Sequence, residues 1–130
     1  MLHVDIPSRA DIEWLAGVRE PACLTLYLPT TPITPKIEHD KLVFKNLARD
    51  GLQELRDRDA DRRAVAAIEE ELDDLLDDDA FWAHQANSLA VYATAEHILT
   101  FRLPNALEPT VQTADRFLLI PLLRSVTVAR

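Results

Sequence analysis

Only two glycines, Gly17 and Gly51, stand in the 130 residues, and they are far apart. A loop that cradles phosphate needs several glycines close together, so that backbone amides can approach the anion. No such loop can be built here. The single cysteine, Cys23, excludes an internal disulfide. Its place in an alternating apolar run suits a buried small hydrophobe, and an apolar setting raises a thiol's pKa rather than activating it. The four histidines, His3, His39, His84 and His97, lack the spacing that puts two ligands on one helix face. Neither a nucleophile site nor a metal site is read from these residues, so this chain is not expected to be an enzyme or to carry a cofactor. No apolar run reaches membrane length and no signal-peptide pattern is seen, so no membrane partner and a cytoplasmic location are expected. Repeats and low-complexity linkers are absent too.

What is present reads as one folded domain. Hydrophobic residues make up 48% of the chain, enough for an ordinary core and too many for a disordered segment. The net charge of −8 is uneven: Glu54–Asp79 carries 12 acidic and 4 basic residues, and elsewhere the two signs balance. Such a region repels phosphate and is ordinarily a solvated helix face.

Ser8-Arg9-Ala10-Asp11 has the pattern of a capping box with Asp in the place of Glu, opening a short helix to about Val18. Ala22–Leu28 alternates, with Leu24, Leu26 and Leu28 on one face and Cys23, Thr25 and Tyr27 on the other, which predicts a strand. Three prolines between Pro29 and Pro35 then force an irregular loop. Phe44, Leu47, Ala48, Leu52 and Leu55 form one stripe of a long helix from about Glu38 to Arg58. Val65, Ile68, Leu72, Leu75 and Leu76 form another, so the two should make an antiparallel hairpin. Ser88–Ala93 and His97–Leu103 alternate as a β-hairpin, and Thr110–Ala114 adds a further strand. The fold class expected is α/β: a mainly antiparallel sheet of about four strands with a long antiparallel helical hairpin packed on one face. Leu99 and Phe101 are expected in the core between sheet and hairpin with Leu24, Leu26, Leu28, Leu89 and Val91 of the strands and Phe44, Leu47, Leu52, Leu72 and Leu75 of the helices.

Two groups of residues are candidates for a site. Phe81, Trp82, His84 and Gln85 crowd into five positions after the acidic run Asp77-Asp78-Asp79. Large aromatics anchor helical layers to sheets, and a structural corner is the plainer reading. Lys41, Lys45 and Arg49 recur every four residues along the first long helix, with Lys36 upstream. They share one stripe that could track a phosphate backbone, although lysines on an exposed helix face are also ordinary.

Four segments together carry a resemblance: Cys23–Thr30 (CLTLYLPT), Leu42–Leu55 (LVFKNLARDGLQEL), Phe81–Ala93 (FWAHQANSLAVYA) and Arg102–Val126 (RLPNALEPTVQTADRFLLIPLLRSV). Their order and spacing are similar to the amino-terminal domain of bacterial homologues of the archaeo-eukaryotic class-one peptide-chain release factor. The resemblance covers nearly all of the chain after Pro21. It implies that residues 1–130 are a fragment of a longer protein, whose missing carboxy-terminal domains are partners of this one. The segment matching Asp115–Val126 would lead into a middle domain of ribonuclease-H-like fold. In the true release factors that middle domain carries a Gly-Gly-Gln loop, which a chain without adjacent glycines does not contain. Their stop-codon-reading Asn-Ile-Lys-Ser loop has no counterpart in Thr34–Asp40, and Leu118 stands where family members commonly have histidine.

The functional expectation is a non-catalytic recognition domain of a release-factor-like protein. It would contact the ribosome or tRNA in translation rescue or quality control, with Lys36, Lys41, Lys45 and Arg49 as the nucleic-acid-binding candidates. The alternative is a protein-interaction module with no nucleic-acid role. A small-ligand site formed by the proline loop and Tyr27 is a third reading. Charge placement separates the first two: one exposed basic patch favours RNA, and acids beside each base favour a protein. The tail holds six apolar residues, Leu118, Leu119, Ile120, Leu122, Leu123 and Val126, and a single domain is expected to bury only one face of it.

Overall fold

The computed structural model describes residues 4–33 and 36–129. Helix α1 (Arg9–Gly17) starts at the expected capping box: Ser8 Oγ accepts from Asp11 N, and the Asp11 carboxylate accepts from Ser8 N. Strand β1 (Cys23–Pro29) leads into the proline loop, of which Thr34 and Pro35 lie outside the described residues. Helices α2 (Ile37–Asp57) and α3 (Arg62–Leu76) follow, then a single turn, α4 (Asp79–Trp82). Strands β2 (Ser88–Ala93), β3 (Ile98–Leu103) and β4 (Thr110–Ala114) and helix α5 (Ile120–Ala129) follow.

The turn between α2 and α3 has a definite chemistry. Asp59 takes a positive φ of 59°, the left-handed conformation that aspartate tolerates better than most side chains. This lets Ala60 N donate to Leu55 O and Asp59 N donate to Arg56 O, satisfying carbonyls that a helix end otherwise leaves open. Asp61 then caps α3 by accepting from Ala64 N at 3.0 Å. With the four residues 58–61 reversing the path, α3 returns antiparallel to α2.

All four strands pair antiparallel in the order β3-β2-β1-β4. The sheet is covered on both faces. On one face Leu24, Leu26, Leu28, Leu89, Val91 and Ala93 meet Phe44, Leu52, Leu55, Val65, Ile68 and Leu72 of the helical hairpin. On the other, Cys23, Tyr27, Ala90, Tyr92, Phe101 and Leu103 meet Leu15 of α1, Phe117, and Leu122 and Val126 of α5. Burial on both sides makes β1 and β2 apolar at both parities.

This second layer corrects the expected core. Leu99 and Phe101 sit opposite Tyr92 and Ala90 in the register and so face α1 and α5, not the hairpin. The hairpin side of β3 is taken by Ile98, Thr100 and Arg102, opposite Ala93, Val91 and Leu89. Alternation states which residues share a face, and the pairing with β2 decides which layer that face meets. Leu47 and Leu75, also expected in the core, lie half-buried at its margin.

Helix α2 crosses the sheet where Gly51 stands. A Cβ there would lie 2.3 Å from Leu24 Cδ1 and 3.0 Å from Val111 Cγ2, so only glycine lets the helix approach β1 and β4 this closely. The apolar tail divides as its helical period requires: Leu122 and Val126 are buried, whereas Ile120 and Leu123 remain 57% and 43% exposed. No helix among the described residues is long and apolar enough to cross a membrane.

Candidate functional site

The four-residue spacing of Lys41, Lys45 and Arg49 becomes one rim of a seam between α2 and α3. Because the helices are antiparallel, Arg56 Nη2 meets Glu69 Oε2 at 3.3 Å near the turn, and Lys41 Nζ reaches Asp79 Oδ1 at 3.3 Å at the far end. The Asp79 side chain is 90% exposed, so solvent screens that pair and it contributes roughly 0–1 kcal/mol. Between these two contacts Lys45 and Arg49 are exposed. They share a groove with Glu69 and Asp73 above a floor of Phe44, Ala48, Leu52 and Leu72. No ion pair joins Lys45 or Arg49 to another described residue. The seam continues past the groove: Arg56 and Glu69 lead to a depression at the turn, and Lys45 and Leu76 to one lined by Glu38, Leu42 and Asp77. Lys36 stands apart, exposed at the N-cap of α2 beside the proline loop.

Sequence reasoning thus found one rim and missed the other. Glu69, Asp73 and Asp77 recur every four residues, as the bases do, and Arg56 extends the basic line by a further seven positions. Folding the two spacings about the turn at Asp59 would have set the acidic line against the basic one.

The aromatic corner is held by hydrogen bonds and ring packing. Trp82 is 1% exposed, lies 5.3 Å from both Phe44 and Phe81 between ring centroids, and donates from Nε1 to Leu75 O at 2.9 Å. That carbonyl belongs to the last turn of α3, where helix geometry leaves acceptors open. His84 Nδ1 lies 2.8 Å from Ala80 O, which can only accept, so this nitrogen carries a proton. Gln85 Nε2 donates to Phe81 O at 2.9 Å. Arg102 Nη1 donates to His84 O at 2.7 Å while its guanidinium grips Asp5. Among the described residues, no group of three or more His, Cys, Asp or Glu is placed to hold a metal ion.

Tyr27 does not form part of a ligand site. It is wholly buried, and its hydroxyl donates to Leu118 O while standing 2.8 Å from the Tyr92 hydroxyl. Since Leu118 O takes the Tyr27 proton, Tyr92 is the donor of that second bond. Burial pushes the Tyr27 phenol up to about 12 and raises Tyr92 as well. Tyr27→Phe should destabilise the domain by about 1–3 kcal/mol, because the buried Tyr92 hydroxyl and the carbonyl of half-buried Leu118 lose a partner at once. Urea unfolding measures this, and an unchanged midpoint would count against the network. Cys23 is also buried, and desolvation raises its thiol above the ordinary value.

Asp40 ties the proline loop to α2. It is 2% exposed and accepts from Thr31 N at 2.9 Å; burial raises its carboxyl, opposed more weakly by that bond and by His39. A raised folded-state pKa means the fold binds this proton more tightly than the unfolded chain does. The group therefore adds stability as pH falls through its folded pKa toward the ordinary carboxylate value, and loses that contribution as pH rises. The melting temperature of Asp40→Asn relative to wild type should accordingly fall as the solution is acidified over that window. A constant difference across the titration would show that Asp40 carries no such linkage.

No protein-family model matches the chain, and no curated protein matches it.

Proposed function

We propose that this domain is a non-catalytic recognition module of a release-factor-like protein in translation rescue or quality control, and that it binds a protein partner along the α2–α3 seam. The observation that carries the reading is the company of the basic stripe. Lys41 is paired with Asp79, and Lys45 and Arg49 share their groove with Glu69 and Asp73. A phosphate backbone drawn to the basic rim would run beside a parallel acidic rim and be repelled by it. A protein surface can answer both signs. The family assignment rests on the four sequence segments, and the carboxy-terminal domains it implies are further partners of this one.

Direct contact with ribosomal or transfer RNA is the second reading. It is favoured by the exposure of Lys36, Lys45 and Arg49 and by the absence of an ion pair at the last two among the described residues. Co-sedimentation of the protein with ribosomes, washed at rising salt, separates the two. With a protein partner, Glu69, Glu70 and Asp73 changed together to Gln should weaken retention at least as much as Lys41, Lys45 and Arg49 changed to Glu. With RNA, only the basic reversal should matter, and each lost contact should flatten the dependence of log affinity on log salt by about 0.7–0.9. No retention in any wash would remove the translational role.

A further inference from the structure

We infer that the middle of the seam seats an amphipathic helix of the partner protein, about four turns long, with acids on the flank over α2 and bases on the flank over α3. This rests on the protein-partner reading above and specifies the partner's chemistry.

The length comes from the two cross-seam contacts. Lys41–Asp79 closes one end and Arg56–Glu69 the other, and the stretch of α2 between them spans ~22 Å, about four helical turns. The polarity comes from what lies between. Lys45 and Arg49 on one rim and Asp73 on the other are all exposed, and none has an ion pair with a described residue. A partner of one sign gains at one rim and is repelled at the other, whereas a partner with both signs gains at both. The apolar part comes from Leu42, 55% exposed, and half-buried Leu76 beside it. Leu42 projects from a helix whose core stripe faces elsewhere, so burying it requires a second surface. A helix answers this arrangement best, because a third helix can lay its side-chain ridges into the groove between two others.

Three synthetic helical peptides with one shared leucine stripe test the inference, titrated against the whole chain by fluorescence anisotropy at ~0.15 M salt, where long-range attraction to the net charge is screened. One carries Glu on one flank and Lys on the other; the second has Glu on both; the third has Lys on both. The mixed peptide should bind at least ~10-fold more tightly than either single-sign peptide, a difference of about 1.4 kcal/mol. In the double variant Lys45→Glu with Arg49→Glu, the all-Lys peptide should become the tightest. Leu42→Asp should weaken all three, and circular dichroism of each variant checks that these exposed positions leave the fold intact. Equal binding of the mixed and all-Lys peptides, or an unchanged ranking in the double variant, would overturn the helix assignment. A single-stranded RNA that outcompetes the mixed peptide, and loses its affinity in the double variant, would assign the basic rim to phosphate instead. If no peptide binds while acid neutralisation still weakens ribosome retention, the helical occupant is wrong and the protein-partner reading survives. If both fail, both fall.

Discussion

Trp82→Ala should lower the stability of the domain by about 3–5 kcal/mol. The ring is 1% exposed and packs between Phe44 of α2 and its neighbour Phe81, so truncation leaves a cavity bordered by two aromatic rings. It also removes the Nε1 bond to Leu75 O, leaving that carbonyl at the end of α3 with a backbone bond from Asp78 N at 3.2 Å. Domains of this size are held by roughly 5–15 kcal/mol in all, so the variant loses a large share of that stability and should be almost wholly unfolded at the wild-type midpoint. Trp82→Phe separates the two contributions. It keeps most of the apolar filling and loses the hydrogen bond, which is worth about 1 kcal/mol, so it should fall between wild type and alanine. Urea unfolding with the slope held constant measures both, and a melting midpoint unmoved by Trp82→Ala would sink the claim that this corner joins the helical layer to the sheet.

Gly51→Leu should be comparably damaging, for the opposite reason. Helix propensity alone favours replacing this glycine, by up to about 1 kcal/mol for Gly51→Ala. Packing decides against it. The added Cβ would meet Leu24 Cδ1 at 2.3 Å and Val111 Cγ2 at 3.0 Å. Leu24 is itself 1% exposed, so its rotamer has little free space to move into. Overpacking of this kind typically costs about 1–3 kcal/mol, which exceeds the propensity gain. Gly51→Ala should therefore be mildly destabilising, and Gly51→Leu should cost on the order of 3 kcal/mol or more as α2 is pushed off β1 and β4. A stabilised Gly51→Ala would mean that Leu24 repacks freely and that the close approach is not a requirement.

Local chemistry was legible in the sequence wherever it depends on neighbours along the chain. The capping box at Ser8, the proline loop and the span of α2 come from short-range patterns, and the bounds of α2 lie within a residue of expectation. Layer assignment was harder. Leu99 and Phe101 obey the same alternation whether they face the hairpin or α5, and the choice is made by their pairing with Tyr92 and Ala90. A cue existed in β1 and β2: Cys23, Tyr27, Ala90 and Tyr92 make the second face as apolar as the first, which asks for a second covering layer. The candidate site divides the same way. The stripe of Lys41, Lys45 and Arg49 follows from helix period. The acids opposite depend on how two helices register across a turn, a relation between segments that no single helical period contains.

The position of β1 has a kinetic consequence. It is the first strand among the described residues yet an inner strand of the sheet, with Leu26 paired to Val91 on one side and Val111 on the other. As the chain leaves the ribosome, neither neighbour of β1 exists until both helices of the hairpin have been synthesised. During that interval β1 presents two apolar faces and two open edges, with only local helical structure available to shield them. The hairpin can form early from short-range contacts, and the sheet must close late through long-range ones. Refolding should therefore show helix before protected β1 amides, and the nascent chain should be most prone to aggregate just before β2 emerges.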